Sequence, residues 1–220
     1  FFSKKKLNFK DEKEKKDYLN LSERYLSFLH ADKKFKDCLK FSDQTIKKID
    51  ISYEHIKNSI NLINYSINCE MQNLDWDRAY DAYLNKITFI DEALKNYEFN
   101  KENKIMLNEQ LVRSLSAMSS ALTIIGYTEE DEMKRQEFNK RAEKINNEFM
   151  KKESKYFYLI LNQLLLSNLI YDFEFDKAEK ILNSSLLEIE KLTEEDGYPY
   201  DSGFEMQRAD LEASYLETLA

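Results

Sequence analysis

Ile56-Lys57-Asn58-Ser59-Ile60-Asn61-Leu62-Ile63-Asn64-Tyr65-Ser66-Ile67-Asn68 carries two interleaved rows of residues. Ile56, Ile60, Ile63 and Ile67 recur at i, i+4, i+7 and i+11, the period of one helix face. Lys57, Asn61, Asn64 and Asn68 repeat the same spacing one residue on. At roughly 100° per residue, that row lies about a quarter turn round the helix. One face is apolar and its neighbour is a ladder of amides. The stretch 51–70 therefore reads as an amphipathic helix.

The rest of the chain reads the same way. There are three Gly (Gly126, Gly197, Gly203) and one Pro (Pro199) in 220 residues, and three of these four lie between 197 and 203. A β protein needs turn residues every few positions, so this composition predicts an all-α fold of long helices with short polar links. Helices are expected at 11–30, 32–49, 51–70 and 76–98, the second with Leu39, Ile46 and Ile49 among its apolar positions and the fourth with Trp76. A fifth carries Leu111, Leu115, Met118 and Leu122, and Gly126 stops it. Thr128 and Asp131 are spaced as a capping pair for a sixth, running to about Met150. A seventh, Ser154 to Ile170, is apolar on nearly every side and should be central. The eighth covers about 176–192, and a ninth begins at 204. The expectation is about nine antiparallel helices in a single domain, 1–220, with residues 1–10 a basic arm.

Phe175-Asp176-Lys177-Ala178-Glu179-Lys180-Ile181-Leu182 has the flavour of a tetratricopeptide hairpin, but no partner recurs at thirty-four residues. A regular repeat array is therefore not expected.

The formal charge of −8 disfavours general nucleic-acid binding, because phosphate backbones demand a basic surface. Residues 1–17 hold seven Lys against four acids, and residues 172–220 hold fourteen acids against four bases. Such runs read first as solvated surface. The most apolar stretch, Tyr156 to Ile170, is interrupted by Asn162, Gln163, Ser167 and Asn168, so no membrane span is expected. Cys38 and Cys69 show no metal-ligand spacing with His30 or His55 and read as packed thiols in a reducing, cytoplasmic compartment. No phosphate loop, HExxH, CxxC or triad is present, so neither cofactor, metal nor catalysis is expected.

From the seventh helix onward the chain resembles the 14-3-3 proteins. The residues concerned are Leu161-Asn162, Asp176-Lys177-Ala178, Leu187 to Glu195, Asp201-Ser202 and Met206-Gln207. Further upstream, Lys57-Asn58, and Val112-Arg113 with Leu115, match the family's third and fifth helices. The resemblance implies a cup-shaped array with an amphipathic groove, and a cytoplasmic signalling adaptor that binds phosphoserine or phosphothreonine segments of partner proteins. It also implies a homodimer paired through the first four helices, the region that departs most. Lys57 and Arg113 would hold the phosphate by charge-assisted hydrogen bonds. Asn162 would clamp the ligand backbone, and Leu161 and Leu165 would form the apolar wall. Asn64 and Asn68 stand where the family has Arg, Ser114 where it has Tyr, and Met106 where it has a supporting Lys. Glu212 falls near the family's ninth-helix Asn, and Leu169 at an acidic position. Each lost charged partner removes about 1.5–3 kcal/mol, so a degraded phosphate pocket is expected. The rivals are a phosphate-independent, tetratricopeptide-like peptide scaffold and an enzyme with an acidic site.

Overall fold

A computed structural model of the chain describes residues 9–48, 55–74, 76–125 and 128–195, and among these there is helix and no strand. The described residues form eight helices: α1 (Glu12–Ala31), α2 (Phe35–Lys48), α3 (Ile56–Gln72), α4 (Trp76–Asn96), α5 (Lys101–Ile125), α6 (Glu129–Ile145), α7 (Lys155–Tyr171) and α8 (Phe175–Glu195). α6 runs on through a π turn, Asn146–Met150, and a last α turn, Lys151–Glu153. The loop at 197–203 and the ninth helix expected from 204 lie outside the described residues, as does most of the basic arm. None of the described helices is long and apolar enough to cross a membrane. The chain divides into two compact units, Phe1–Phe99 and Asn100–Ala220.

Helix starts follow local chemistry. Asp11 caps α1 by accepting from the Glu14 amide, and Ser154 caps α7 by accepting from that of Phe157. At α6 the expected capping box is formed in both directions between Thr128 and Asp131. Four consecutive acids, Glu129 to Glu132, then face the positive end of the helix dipole.

Helix ends follow a less obvious rule. Lys33, Leu74 and Phe173 each have φ near +60°, the left-handed region that glycine normally occupies. Each is the second residue beyond a helix, at the turns α1–α2, α3–α4 and α7–α8. The hydrogen bonds repeat too. Lys33 N donates to His30 O, Leu74 N to Met71 O, and Phe173 N to Ile170 O. Lys34 N closes on Leu29 O and Glu174 N on Leu169 O, both at 2.9 Å. Five residues after each left-handed position stands a small, buried side chain: Cys38, Ala79 and Ala178. Its size lets the second helix of the hairpin close on the first.

The Phe175–Leu182 segment thus has structural counterparts at Phe35 and Trp76. Their spacings are unequal and neither is thirty-four residues, and the turn residues are not glycines. A left-handed non-glycine residue costs about 1–2 kcal/mol. Lys33→Gly should therefore raise the unfolding free energy by about 1 kcal/mol in a urea titration, and Lys33→Val should lower it.

Each unit stacks two hairpins in the same way. In the first unit, α3 packs against α1 and α2 and pairs with α4; in the second, α7 packs against α5 and the α6–π segment and pairs with α8. The first unit's core gathers Leu19, Leu26, Leu29, Leu39 and Leu62 around Cys38 and Cys69. These two cysteines are bonded to each other as a disulfide between α2 and α3, with both residues fully buried. This corrects the expectation of separate thiols in a reducing compartment, since disulfides persist in oxidising ones. Closing a loop of 31 residues restricts the unfolded chain by about 3–4 kcal/mol. Reduction should lower the Tm by on the order of 10 °C, and Cys38→Ala with Cys69→Ala should abolish that sensitivity in a calorimetric scan.

Candidate functional site

The first unit carries a polar face shared by α1 and α3. On α3 the apolar row is placed as expected, with Ile56, Ile60 and Ile67 buried and Ile63 half-buried. On the adjoining row, Lys57 and Asn68 are exposed, and Asn61 and Asn64 are half-buried. α1 contributes groups that sequence reasoning did not single out. Asn58 Nδ2 donates to Asn20 Oδ1 at 3.1 Å and to Glu23 Oε1 at 2.6 Å. Asn61 Nδ2 donates to Glu23 Oε2 at 3.1 Å. Two amides therefore hold one carboxylate across the helix pair, which fixes the edge of the amide row against α1. The signal for Asn20 and Glu23 was one helical turn of polar spacing on α1, which only the α1–α3 pairing turns into a shared surface. At the far end of the row, Tyr83 Oη donates to Met71 Sδ at 3.6 Å, and burial pushes that phenol above its ordinary pKa.

The second unit places its expected site residues differently. Leu161 and Ser114 are fully buried, and Asn162 and Leu165 nearly so. Asn162 has partners on both heteroatoms of its amide: Asn146 Nδ2 donates to its Oδ1 at 2.7 Å, and its own Nδ2 donates to Ser185 Oγ at 2.8 Å. The π turn that begins at Asn146 brings that side chain to α7, where it also reaches Tyr158 O. Ser114 donates back to Gln110 O at 2.7 Å. These positions, read as a ligand-facing wall, form the interior of the unit. Leu169 is likewise buried.

Superimposing the three hairpin turns explains why. Counted back from the turn, Leu62, Ser66 and Cys69 of α3 fall in register with Leu161, Leu165 and Asn168 of α7. All six are buried where a later hairpin enters an earlier one. In the first unit the joint is made by the disulfide and by Ser42 Oγ donating to Ser66 Oγ at 3.2 Å. In the second it is polar. Ser120 donates to Asn168 Oδ1, Asn168 Nδ2 to Asn139 Oδ1, and Asn139 Nδ2 to Asp172 Oδ2, each within 3.0 Å. Arg135 closes the chain on Asp172 and pairs with Glu132. The Gln136 amide and the Arg135 guanidinium hold the Glu132 carboxyl below the usual carboxylate range.

Arg113 is half-exposed, and its Nε lies 2.5 Å from Glu109 Oε1. It belongs to the second unit and Lys57 to the first. Glu212 lies outside the described residues. Met106 lines an open cavity of about 510 Å³ with Ile105, Glu109 and Phe157, rimmed by Lys101 and Ser154. Among the described residues, no group of three or more His, Cys, Asp or Glu side chains is placed to hold a metal ion. Comparison with protein-family models, curated proteins and solved structures finds no match for this chain.

Asn162→Ala would remove one buried hydrogen-bond partner from each of Asn146 and Ser185. Its expected effect is a loss of about 1–3 kcal/mol of unfolding free energy, read from the denaturation midpoint with no ligand present.

Proposed function

We propose that this chain is a non-catalytic scaffold that holds an extended segment of a partner protein along the amide row of α3, without requiring phosphate. The observation that carries this reading is the row itself: Lys57, Asn61, Asn64 and Asn68 share one face, partly open to solvent, beside a buried isoleucine row. An Asn side chain both donates and accepts, as a peptide backbone does. Side chains three and four apart on a helix lie about 5–6 Å from one another, close to the roughly 6.6 Å two-residue repeat of an extended chain. The side chains of the row are therefore spaced to meet successive backbone groups of one edge of the ligand. The α1–α3 amide–carboxylate net keeps the row from rearranging on binding, which lowers the ordering cost.

The phosphopeptide reading draws on Lys57, which is exposed, and on Arg113, which is half-exposed. It also needs Asn162, Leu161 and Leu165 as the ligand-facing wall of a cup-shaped groove in the 14-3-3 manner. Those three are enclosed in the second unit, so the phosphate-independent reading has more support. The net charge of −8 also favours a ligand that is not strongly anionic.

The test is a fluorescence titration against a library of paired phosphorylated and unphosphorylated peptides. Equal affinity within each pair is expected, with Asn64→Ala plus Asn68→Ala weakening binding about tenfold or more, from about 1 kcal/mol for each lost amide. Binding confined to the phosphorylated members, and abolished by Lys57→Ala or Arg113→Ala, would instead establish the phosphopeptide adaptor.

A further inference from the structure

The open cavity of about 510 Å³ in the second unit lies where the starts of α5 and α7 meet, and its volume is in the range of small-molecule sites. Its long wall is one face of α5. Glu102, Ile105, Met106 and Glu109 recur at i, i+3, i+4 and i+7, and all four line it. Its two carboxylates are therefore two turns apart, about 10 Å along the helix, with apolar side chains between them. Phe157 of α7 adds to the apolar lining. Ile105, Met106 and Phe157 are only half-buried, so this lining is left open to a ligand.

The charged groups at the two ends differ in what they can still hold. At the exposed end, Lys101 is engaged with Glu153, 3.1 Å away. The N-termini of α5 and α7 also open there, but each already has a carboxylate beside it. Glu102 sits in the first turn of α5, and Glu153 stands just ahead of the Ser154 cap of α7. That end therefore does not select an anion. At the buried end stands Glu109, 8% exposed. Its Oε1 accepts from Arg113 Nε at 2.5 Å, and its Oε2 from Gln110 Nε2 at 3.2 Å. The second bond is long, and it comes from an adjacent position that helix geometry orients poorly. A carboxylate accommodates about four donors, so Glu109 keeps acceptor capacity toward the cavity it lines.

We propose that this cavity binds a small organic cation, with an apolar body lying along Ile105, Met106 and Phe157 and an ammonium or amidinium group donating to Glu109. Charge complementarity favours that ligand class. The charged lining residues are one cation, already paired, against two carboxylates. Apolar walls also exclude water from the Glu109 end, which strengthens a charge-assisted bond made there. The unbranched thioether of Met106 lets the wall adapt to bodies of different outline. The site lies within the second unit and does not rest on the reading of the α3 row.

A saturation-transfer NMR titration of the full chain with phenethylamine, phenethyl alcohol and phenylacetate, three probes of similar size, tests this. Phenethylamine should bind at about a millimolar or more tightly, the range open to so small a ligand. The alcohol and the carboxylate should bind at least about tenfold more weakly, for want of a charged donor. Glu109→Gln keeps the side chain's shape and leaves Arg113 to solvent; it should weaken the amine about tenfold and leave the alcohol unchanged. Met106→Lys brings a cation into the cavity from a half-buried position and should weaken the amine likewise, with an unchanged circular-dichroism spectrum. An alcohol or carboxylate that binds as tightly as the amine, amine binding that survives both substitutions, or no binding of the amine would each overturn the proposal.

Discussion

The structure depends on the entry of one hairpin's first helix into the groove of the hairpin before it. Both units use this joint, and both need the same two local devices. A turn two residues beyond the first helix reverses the chain through a left-handed residue. A small side chain five residues later, Cys38, Ala79 or Ala178, then lets the paired helices approach closely. Without the first the helices do not reverse, and without the second they do not close. In the α1–α2 and α7–α8 turns the backbone hydrogen bonds that end the first helix also set the entry of the second, so turn and packing are specified together.

What fills the joint differs between the units, and the difference is chemical. In the first it is apolar, with leucines around a disulfide. In the second it is a chain of amides and hydroxyls that ends on the Arg135–Asp172 pair. Buried polar chains of this sort give little net stability and much specificity, because a mispacked arrangement leaves donors without acceptors. The covalent link in the first unit acts instead on the unfolded chain, by shortening the loop that has to be ordered. Two solutions thus hold one geometry.

The joint also decides which polar residues are available to a ligand. Asn162 and the α3 asparagines look alike in sequence, each set beside an apolar row. Asn162 lies on the side of its helix that enters the preceding hairpin, so its hydrogen bonds are spent internally on Asn146 and Ser185. On α3, Asn64 is half-buried and Asn68 exposed. The same joint encloses Leu161 and Leu165.

Much of the fold was legible in the residues. The scarcity of glycine and proline excluded sheets, the isoleucine row gave the orientation of α3, and Thr128 with Asp131 marked the start of α6. Such features are local, set by backbone sterics and by bonds spanning three or four residues. The hairpin repeat was hidden because its left-handed positions carry Lys, Leu and Phe, which nothing in the sequence distinguishes from ordinary surface. The Cys38–Cys69 bond, the internal role of Asn162 and the division into two units were decided only by tertiary structure. Each depends on which helix lies beside which, and a periodic apolar row shows that a helix has a buried face without naming the helix that buries it.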